Sequence, residues 1–179
     1  TLVSGIAYGI DAACHRAALA HGVSSVAVLA NALPEINPTP HRQLAEDILK
    51  NGGALISELT SQSRQNGRHF IARNRIIAGL ADAVVVVESK SKGGSLITAQ
   101  MAQDYNRDVF ALPGRFNDTC SAGCNDLIKH NKAQLIECAE DLIAAMGWEA
   151  VIKQPTQTTM LELMYDLTDQ QQQLINLLR

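Results

Sequence analysis

Residues 64–100 carry the sequence RQNGRHFIARNRIIAGLADAVVVVESKSKGGSLITAQ, and this stretch decides the fold. The run AVVVV at residues 83–87 has no polar alternation, which predicts a strand buried on both faces, as in a parallel sheet. The glycine pair Gly93 and Gly94 follows it, and a helical pattern begins at Ser95. A glycine turn between such a strand and a helix is typical of the carboxyl edge of an open α/β sheet, where backbone N–H groups favour anionic ligands.

Basic side chains surround this predicted edge. Four arginines precede it and two lysines lie on it: Arg64, Arg68, Arg73, Arg75, Lys90 and Lys92. The net charge is −2 over residues 1–63, +4 over residues 64–132 and −5 over residues 133–179, which together give the chain's −3. Any one of these basic residues could simply be a solvent-exposed surface residue. As a group, however, they fall in the same segment as the glycine turn. The sequence therefore predicts a polyanion site at this edge, with phosphate as its target.

Strand and helix patterns alternate along residues 1–146 without a hairpin signal. This alternation predicts a three-layer α/β/α fold with a mainly parallel sheet and right-handed crossovers. The predicted strands span residues 1–4, 25–29, 54–58, 83–88, 108–112 and 134–136, and the predicted helices span 10–21, 42–50, 74–80, 95–105, 125–129 and 140–146. Residues 59–72 are expected to form a long loop, and loops of that length in a compact domain are usually functional or mobile.

The composition changes after residue 147. Residues 148–160 are polar, contain Pro155 and are predicted to form a linker between residues 1–147 and a second segment. Residues 161–179 include a predicted helix with Thr168 as its N-cap and an apolar face. That helix is interpreted as the start of a small domain, with a tail helix docked on the main domain or on a second copy as the alternative.

The absence of several sequence motifs argues against particular classes of function. The chain lacks a P-loop, a G-x-S-x-G elbow, an H-E-x-x-H helix and a G-x-G-x-x-G turn, so no cofactor is expected. Its four cysteines lack zinc-ligand spacing and are expected to be reduced thiols of a cytoplasmic protein. No run approaches the ~20 apolar residues of a membrane span.

The roles of a few residues stay open at this level. Glu58 and Glu88 each end a predicted strand, where they could do acid–base work or pair with a neighbouring arginine and hold the loop. Phe70 is a candidate platform for an unstacked base or a core residue. Arg73 and Arg75 flank Asn74 and point in different directions, so we expect one to face ligand and the other to pair internally. Asp11 either supports a helix start or contacts ligand.

Several runs, in this order and spacing, resemble the DNA-processing protein A (DprA/Smf) family. They are LVSGIAYGIDAACHRAAL, AVLANAL, ISEL, FIARNRIIAGLADAVVVVES, GGSLITAQMA, VFALPG, SAGCNDLI and AEDLI, and they cover about residues 1–146. The resemblance implies an extended Rossmann-like domain that binds single-stranded DNA in a basic pocket. It also implies a homodimer without catalytic activity, which protects incoming DNA in natural transformation and loads the RecA recombinase onto it.

The family's DNA-contacting motifs map onto particular residues here. The resemblance assigns this role to Arg73, Asn74 and Arg75 of RNRIIAGL, to Gly94 and Ser95 of GSLITA with Lys92 beside them, and to Asn125 of the G-x-N motif. The basic edge adds Arg68, Phe70 and Lys90. The family's Gly-Ser-Arg turn does not occur in this sequence and is expected to precede Thr1, together with the family's first strand. The dimer and recombinase surfaces are expected near residues 127–143, and residues 161–179 are expected to begin a winged-helix domain.

A nucleotide-binding or nucleotide-hydrolysing enzyme is the competing interpretation, because related Rossmann-like folds include nucleotide phosphoribohydrolases. Such enzymes carry a P-G-G-x-G-T phosphate turn and a nearby catalytic glutamate. In this chain Pro113 and Gly114 are followed by Arg115 and Phe116, so the phosphate turn is absent. A fragment with only an interaction role is the third interpretation.

Overall fold

The structure, a computed structural model, describes residues 1–60, 63 and 66–148. The chain divides into two compact units, Thr1–Met146 and Gly147–Arg179. The predicted linker beyond residue 148 and the predicted small domain at residues 161–179 lie outside the described residues, as does Arg64. No helix in the described part of the chain has the length and apolarity needed to cross a membrane.

The first unit alternates strands and helices along its whole length. Its strands are β1 (Leu2–Ser4), β2 (Ser25–Val28), β3 (Ala54–Ile56), β4 (Ala83–Val86), β5 (Asp108–Ala111) and β6 (Gln134–Leu135). Its helices are α1 (Ile10–Ala20), α2 (Arg42–Lys50), α3 (Gly67–Leu80), α4 (Gly94–Asp104), α5 (Ala122–Lys129) and α6 (Ala139–Met146), with a 3₁₀ turn at Thr39–His41. The predicted α/β class with parallel strands is confirmed.

The strands form two three-stranded sheets, in the orders β1-β2-β3 and β4-β5-β6, and every pairing is parallel. Val3 lies opposite Val26 in the first sheet, and Val85 lies opposite Phe110 in the second. Each sheet has its own apolar core, with Leu29 and Ile48 in one and Val86 and Cys124 in the other. Helix α3 packs on α4 and also contacts β1 and β2, so it joins the two sheets.

Helix α3 begins seven residues earlier than the sequence predicts, so the predicted loop at residues 59–72 is shorter. The reason is a capping box: the Asn66 side chain accepts from the N–H groups of Arg68 and His69, and the His69 ring accepts from the Asn66 N–H. These bonds satisfy N–H groups that a helix start leaves free. The prediction took Gly67 as part of a loop, but it is the first residue of α3.

Strand β4 differs from its prediction in burial. Val84 and Val86 are buried, whereas Ala83 and Val85 are half-buried and Val87 is 37% exposed. The expectation that this run is buried on both faces is therefore wrong. The two faces of β4 are therefore unequally buried, although the sequence is apolar at every position.

Candidate nucleic-acid interface

The carboxyl ends of both sheets lie at one end of the first unit. Helix α3 starts near the carboxyl end of β2, because Arg73 in its second turn donates to the backbone carbonyl of Val28. It then runs to the start of β4, and α4 begins after β4 ends. The loops that follow β1, β2, β4 and β5 therefore share the edge where parallel α/β sheets bind ligands.

Arg73 is buried beneath this edge, with 6% of its surface exposed. Its Nη1 donates to the carbonyl of Val28, and its Nε donates to the Asn74 side-chain oxygen at 3.2 Å. Burial lowers the pKa of the Arg73 guanidinium, and the nearby Asp11 carboxylate opposes that shift. An arginine keeps its charge under such conditions, so Arg73 places a fixed positive charge under the edge.

The turn that follows β1 is held by side chains from three directions. His15 hydrogen-bonds the Gly5 carbonyl at 2.5 Å, and His41 hydrogen-bonds the Ile6 carbonyl at 2.7 Å. The Asp11 carboxylate accepts from the Ala7 N–H at 3.2 Å and also from the Ser4 hydroxyl at 2.9 Å. Asp11 lies in the first turn of α1, as predicted, but its hydrogen bonds hold the preceding turn and do not cap the helix.

A side chain at position 5 of this turn would collide with two neighbouring side chains. A Cβ there would lie 2.5 Å from Oδ2 of Asp11 and 2.7 Å from both terminal nitrogens of Arg73. The turn therefore packs directly on the buried guanidinium. His15 and Asp11 bind backbone groups of the turn, and Arg73 binds the end of β2 beside it, so hydrogen bonds hold this side of the edge in place.

Arg75 points away from Arg73 and pairs with Glu58, which follows β3. Half of the Arg75 side chain is exposed, so the pair lies at the surface. The expectation that a strand-ending glutamate pairs with a neighbouring arginine is confirmed for Glu58. Arg73 is thus the arginine that pairs internally, and that the half-exposed Arg75 faces ligand stays a prediction.

A small pocket opens above Arg73. Its volume is about 170 Å³, and its lining residues are Ile6, Ala7, Tyr8, Ala30, Asn37, Pro38, Phe70 and Arg73. Tyr8 is 68% exposed and meets the His41 ring edge-on, with 4.8 Å between ring centroids. Phe70 is 43% exposed, so it is not a core residue. Two aromatic side chains and a buried cation around one small cavity suit a flat, electron-rich ring.

The loop between β4 and α4 carries Lys90 and Lys92, both exposed. The Ser89 hydroxyl and the Gly93 N–H both donate to the Lys90 carbonyl at 3.0 Å, which fixes the loop. Helix α4 starts at Gly94, and among the described residues no side chain caps it. Gly94 is exposed and no described atom lies within 4 Å of where its Cβ would be, whereas Ser95 is half-buried. Lysines beside an open helix N-terminus favour an anion.

Asn125 lies on the same edge, but its side chain is engaged with the loop after β5. Its Nδ2 donates to the Gly114 carbonyl at 3.1 Å, and its Oδ1 accepts from the Gly114 N–H at 3.1 Å. Asn125 therefore holds a loop in position. Arg68 is exposed at the start of α3, and Asn74 is half-buried against Arg73.

Two aromatic residues of this edge escaped the sequence analysis. Tyr8 follows β1 and Phe116 follows β5, where the structure leaves 68% and 96% of their surfaces exposed. The available signal was positional: each is an aromatic residue in a turn after a predicted strand of a parallel sheet. Within the described residues, no three His, Cys, Asp or Glu side chains are close enough together to hold a metal ion.

Comparison with known proteins places this geometry in a family. The model of the family DNA recombination-mediator protein A matches residues 1–147. Protein Smf of Synechocystis sp. is 44% identical over 147 residues, which are 82% of this chain and 36% of that protein. DNA processing protein DprA of Streptococcus pneumoniae is 42% identical over 143 residues, which are 80% of this chain and 50% of that protein. The chain thus spans between about a third and a half of these relatives.

Solved structures agree with the sequence matches. The X-ray structure of DprA from Streptococcus pneumoniae aligns with a TM-score of 0.72 at 41% identity, covering 79% of this chain and 50% of that one. A Helicobacter pylori DNA processing protein A structure, concerned with that protein's single-stranded DNA binding mode, aligns with a TM-score of 0.72 at 30% identity, covering 80% of this chain and 64% of that one. Because the family match extends over residues 1–147, this chain belongs to the DNA recombination-mediator protein A family, also called DprA/Smf.

Proposed function

We propose that this chain binds single-stranded DNA along the carboxyl edge of its two sheets. The observation that carries the proposal is the pocket lined by Tyr8, Phe70 and the buried Arg73. The exposed Lys90 and Lys92 lie in the loop after β4, at the same edge. The Helicobacter pylori relative, whose structure concerns its single-stranded DNA binding, supports the same ligand class.

The two parts of the edge suit two parts of a DNA strand. Lys90, Lys92 and the open start of α4 at Gly94 and Ser95 would meet phosphate oxygens. The pocket would take one unstacked base against Tyr8 and Phe70. A duplex keeps its bases stacked and paired, so only a single strand offers both groups at once. Binding would depend little on sequence, because stacking and phosphate contacts are common to all four nucleotides.

Three of the arginines expected at the site would act in different ways. Arg73 would contribute its field from below the pocket, with Asn74 fixing its Nε, because it is already bound to the Val28 carbonyl. Arg75 is half exposed and would contact phosphate while it remains paired with Glu58. Arg68, exposed at the start of α3, would extend the positive surface past Phe70.

The wider role that we propose follows the family. As a recombination mediator, the chain would act as a homodimer that protects incoming single-stranded DNA and loads the RecA recombinase onto it during natural transformation, without catalysis of its own. The competing hydrolase interpretation needs an available glutamate near a phosphate turn. Glu58 is paired with Arg75, but Glu88 is exposed after β4. What speaks against the hydrolase is the missing phosphate turn, where Gly114 is instead tied to Asn125.

The test is a fluorescence anisotropy titration of a labelled oligo-dT, with the matching duplex as competitor, over a salt series. We expect preference for the single strand and an affinity that falls steeply with salt. Binding of duplex and single strand alike, or affinity that does not change with salt, would refute the proposal. Hydrolysis of a nucleoside monophosphate by this chain would favour the enzyme instead.

Charge-removal variants make the test specific to the edge. Lys92→Ala and Arg75→Ala should each weaken binding, and each should lower the slope of log affinity against log salt by about 0.7 per lost phosphate contact. The matched control is Lys50→Ala, because Lys50 is 66% exposed at the end of α2, away from the carboxyl edge. If a variant has the same affinity and the same salt slope as the control, the substituted residue does not contact the DNA.

A further inference from the structure

Phe116 is the most exposed large apolar side chain of the described residues. It is 96% exposed, whereas the other exposed large apolar side chains range from 36% to 68%. Arg115 beside it is also exposed. Single exposed apolar residues are common on proteins, so exposure alone says little. Two features of its surroundings indicate that Phe116 binds a ligand: the loop that presents it is ordered, and that loop contacts the loop of Lys90 and Lys92.

The loop that presents Phe116 is held at both ends by hydrogen bonds. Asn125 binds both backbone groups of Gly114, and the Asp118 N–H donates to the Arg115 carbonyl at 3.0 Å. The Asp118 carboxylate accepts from the Ser121 hydroxyl at 2.8 Å and from the Cys120 N–H at 3.0 Å. Because these bonds span both sides of Phe116, the ring is presented to solvent from an ordered turn.

The same loop is joined to the lysine loop of the proposed DNA site. The Gly123 N–H, in the first turn of α5, donates to the Ser89 carbonyl at 2.8 Å. A Cβ at Gly123 would lie 2.6 Å from the Lys90 carbonyl, so the two segments are in close contact. Phe116 and Arg115 therefore extend the edge that carries Lys90 and Lys92, on the side of β5.

Aromatic residues are scarce in this chain, at 4% of the sequence, and few of them serve the core. Among the described residues, Phe110 is the buried aromatic side chain, at 2% exposure. Tyr8, Phe70 and Phe116 instead lie in loops or helix starts at the carboxyl edge. Exposed rings together with basic side chains are what proteins use to stack the bases and contact the phosphates of a single strand.

We propose that Arg115 and Phe116 form a second base-stacking site, at which the strand leaving the Lys90–Lys92 loop stacks a base on the Phe116 ring while Arg115 meets a phosphate. This inference rests on the proposed single-stranded DNA function and adds a contact that the family motifs do not include. The ligand is the same DNA strand, bound at a second point across β5.

The test compares variants of Phe116 in the anisotropy titration with a labelled 20-nucleotide oligo-dT. Phe116→Ala and Phe116→Leu should each weaken binding by about 5- to 30-fold, because neither side chain stacks on a base as a ring does. Phe116→Trp should restore the wild-type affinity. The salt slope should stay unchanged for all three, since the ring carries no charge, whereas Arg115→Ala should lower the slope by about 0.7.

The matched control is Tyr105→Ala, which removes a 45% exposed ring at the end of α4, far from the carboxyl edge. It should bind like the wild type. If Lys92→Ala weakens binding but Phe116→Ala does not, the second site is refuted and the proposed function stands. If the wild-type chain fails to bind oligo-dT, the proposed function and the second site are both refuted. If Phe116→Ala leaves binding intact but reduces self-association in sedimentation velocity, the ring belongs to a contact between copies of the chain.

Discussion

Around Gly5, the charges of Asp11 and Arg73 are bound into the fold, whereas the two lysines of the loop after β4 stand in solvent. Arg73 is buried on the Val28 carbonyl beside Asp11, and Arg75 is paired with Glu58. Lys90 and Lys92 are exposed, and the loop that carries them is held by backbone atoms and the Ser89 hydroxyl. The first region shapes a pocket, and the second offers exposed charge to a ligand.

The basic residues of one segment of sequence can therefore have two different effects, one on stability and one on ligand binding. A buried arginine contributes mainly to stability and to the field at the pocket, because removing it leaves neighbouring polar groups without partners. An exposed lysine contributes to binding, because its charge becomes useful only when a phosphate arrives. Substitutions in the two regions should therefore change different measured quantities.

The largest effect is expected from Arg73→Met, which keeps much of the volume of the side chain and removes its charge. It would leave the Val28 carbonyl and the Asp11 carboxylate without their buried cation, so we expect the free energy of unfolding to fall by about 3 kcal/mol. Urea denaturation followed by circular dichroism measures it. Arg75→Ala is the control, with a loss of about 1 kcal/mol or less for a surface pair. Equal losses for the two variants would show that Arg73 is not specially bound into the fold.

A smaller loss is expected from Gly5→Ala. The new methyl group would lie 2.5 Å from Asp11 Oδ2 and 2.7 Å from the Arg73 nitrogens, so these hydrogen-bonded side chains or the turn have to move. We expect destabilisation by about 2 kcal/mol. Gly67→Ala, at the open start of α3, has no described atom within 4 Å of its new methyl group and should be neutral or slightly stabilising. A neutral Gly5→Ala, measured by the same denaturation, would mean that the turn yields easily.

The sequence was sufficient to predict those features that depend on residues close together in the chain. The alternation of apolar runs with glycine turns was sufficient to predict the parallel strands. The polyanion site that the confined positive charge indicates stays a prediction. The sequence could not show which charges are available. Arg73 and Arg75 have the same side chain two residues apart, and their environments come from Val28 and Glu58, which are 45 and 17 positions away in the chain.

The start of α3, the burial of β4 and the exposure of two aromatic residues were not predicted for a related reason. Gly67 looks like a loop residue, and only the reciprocal bonds of Asn66 and His69 make it the first residue of a helix. The valine run of β4 looks equally buried on both faces, and packing of whole elements decides which face stays half-exposed. Tyr8 and Phe116 carry no motif. Their exposure follows from turns whose shape is set by hydrogen bonds to residues elsewhere, such as His41 and Asn125.

A pH-dependent effect should distinguish the first region as well. Burial lowers the pKa of His15 below its ordinary 6.5, and its bond to the Gly5 carbonyl and the Asp11 charge oppose the shift. The unfolded chain then takes up a proton more readily than the folded one, so stability present above about pH 6.5 is lost as the pH falls through that value toward the folded pKa. Denaturation midpoints across that range should fall less in His15→Gln than in the wild type. Parallel pH profiles would show that His15 is not linked to folding.

The smallest stability effect is expected in the second region. Lys92→Ala removes an exposed charge from a loop that is held by bonds at Ser89, Lys90 and Gly93, so the free energy of unfolding should change by less than about 0.5 kcal/mol. The same variant should nevertheless weaken oligo-dT binding and lower its salt slope. A protein that loses DNA affinity at unchanged stability has lost a ligand contact, whereas parallel losses would mean that Lys92 acts through the loop's structure. In that case the two regions would not differ in the way proposed, and the charge of both would belong to the fold.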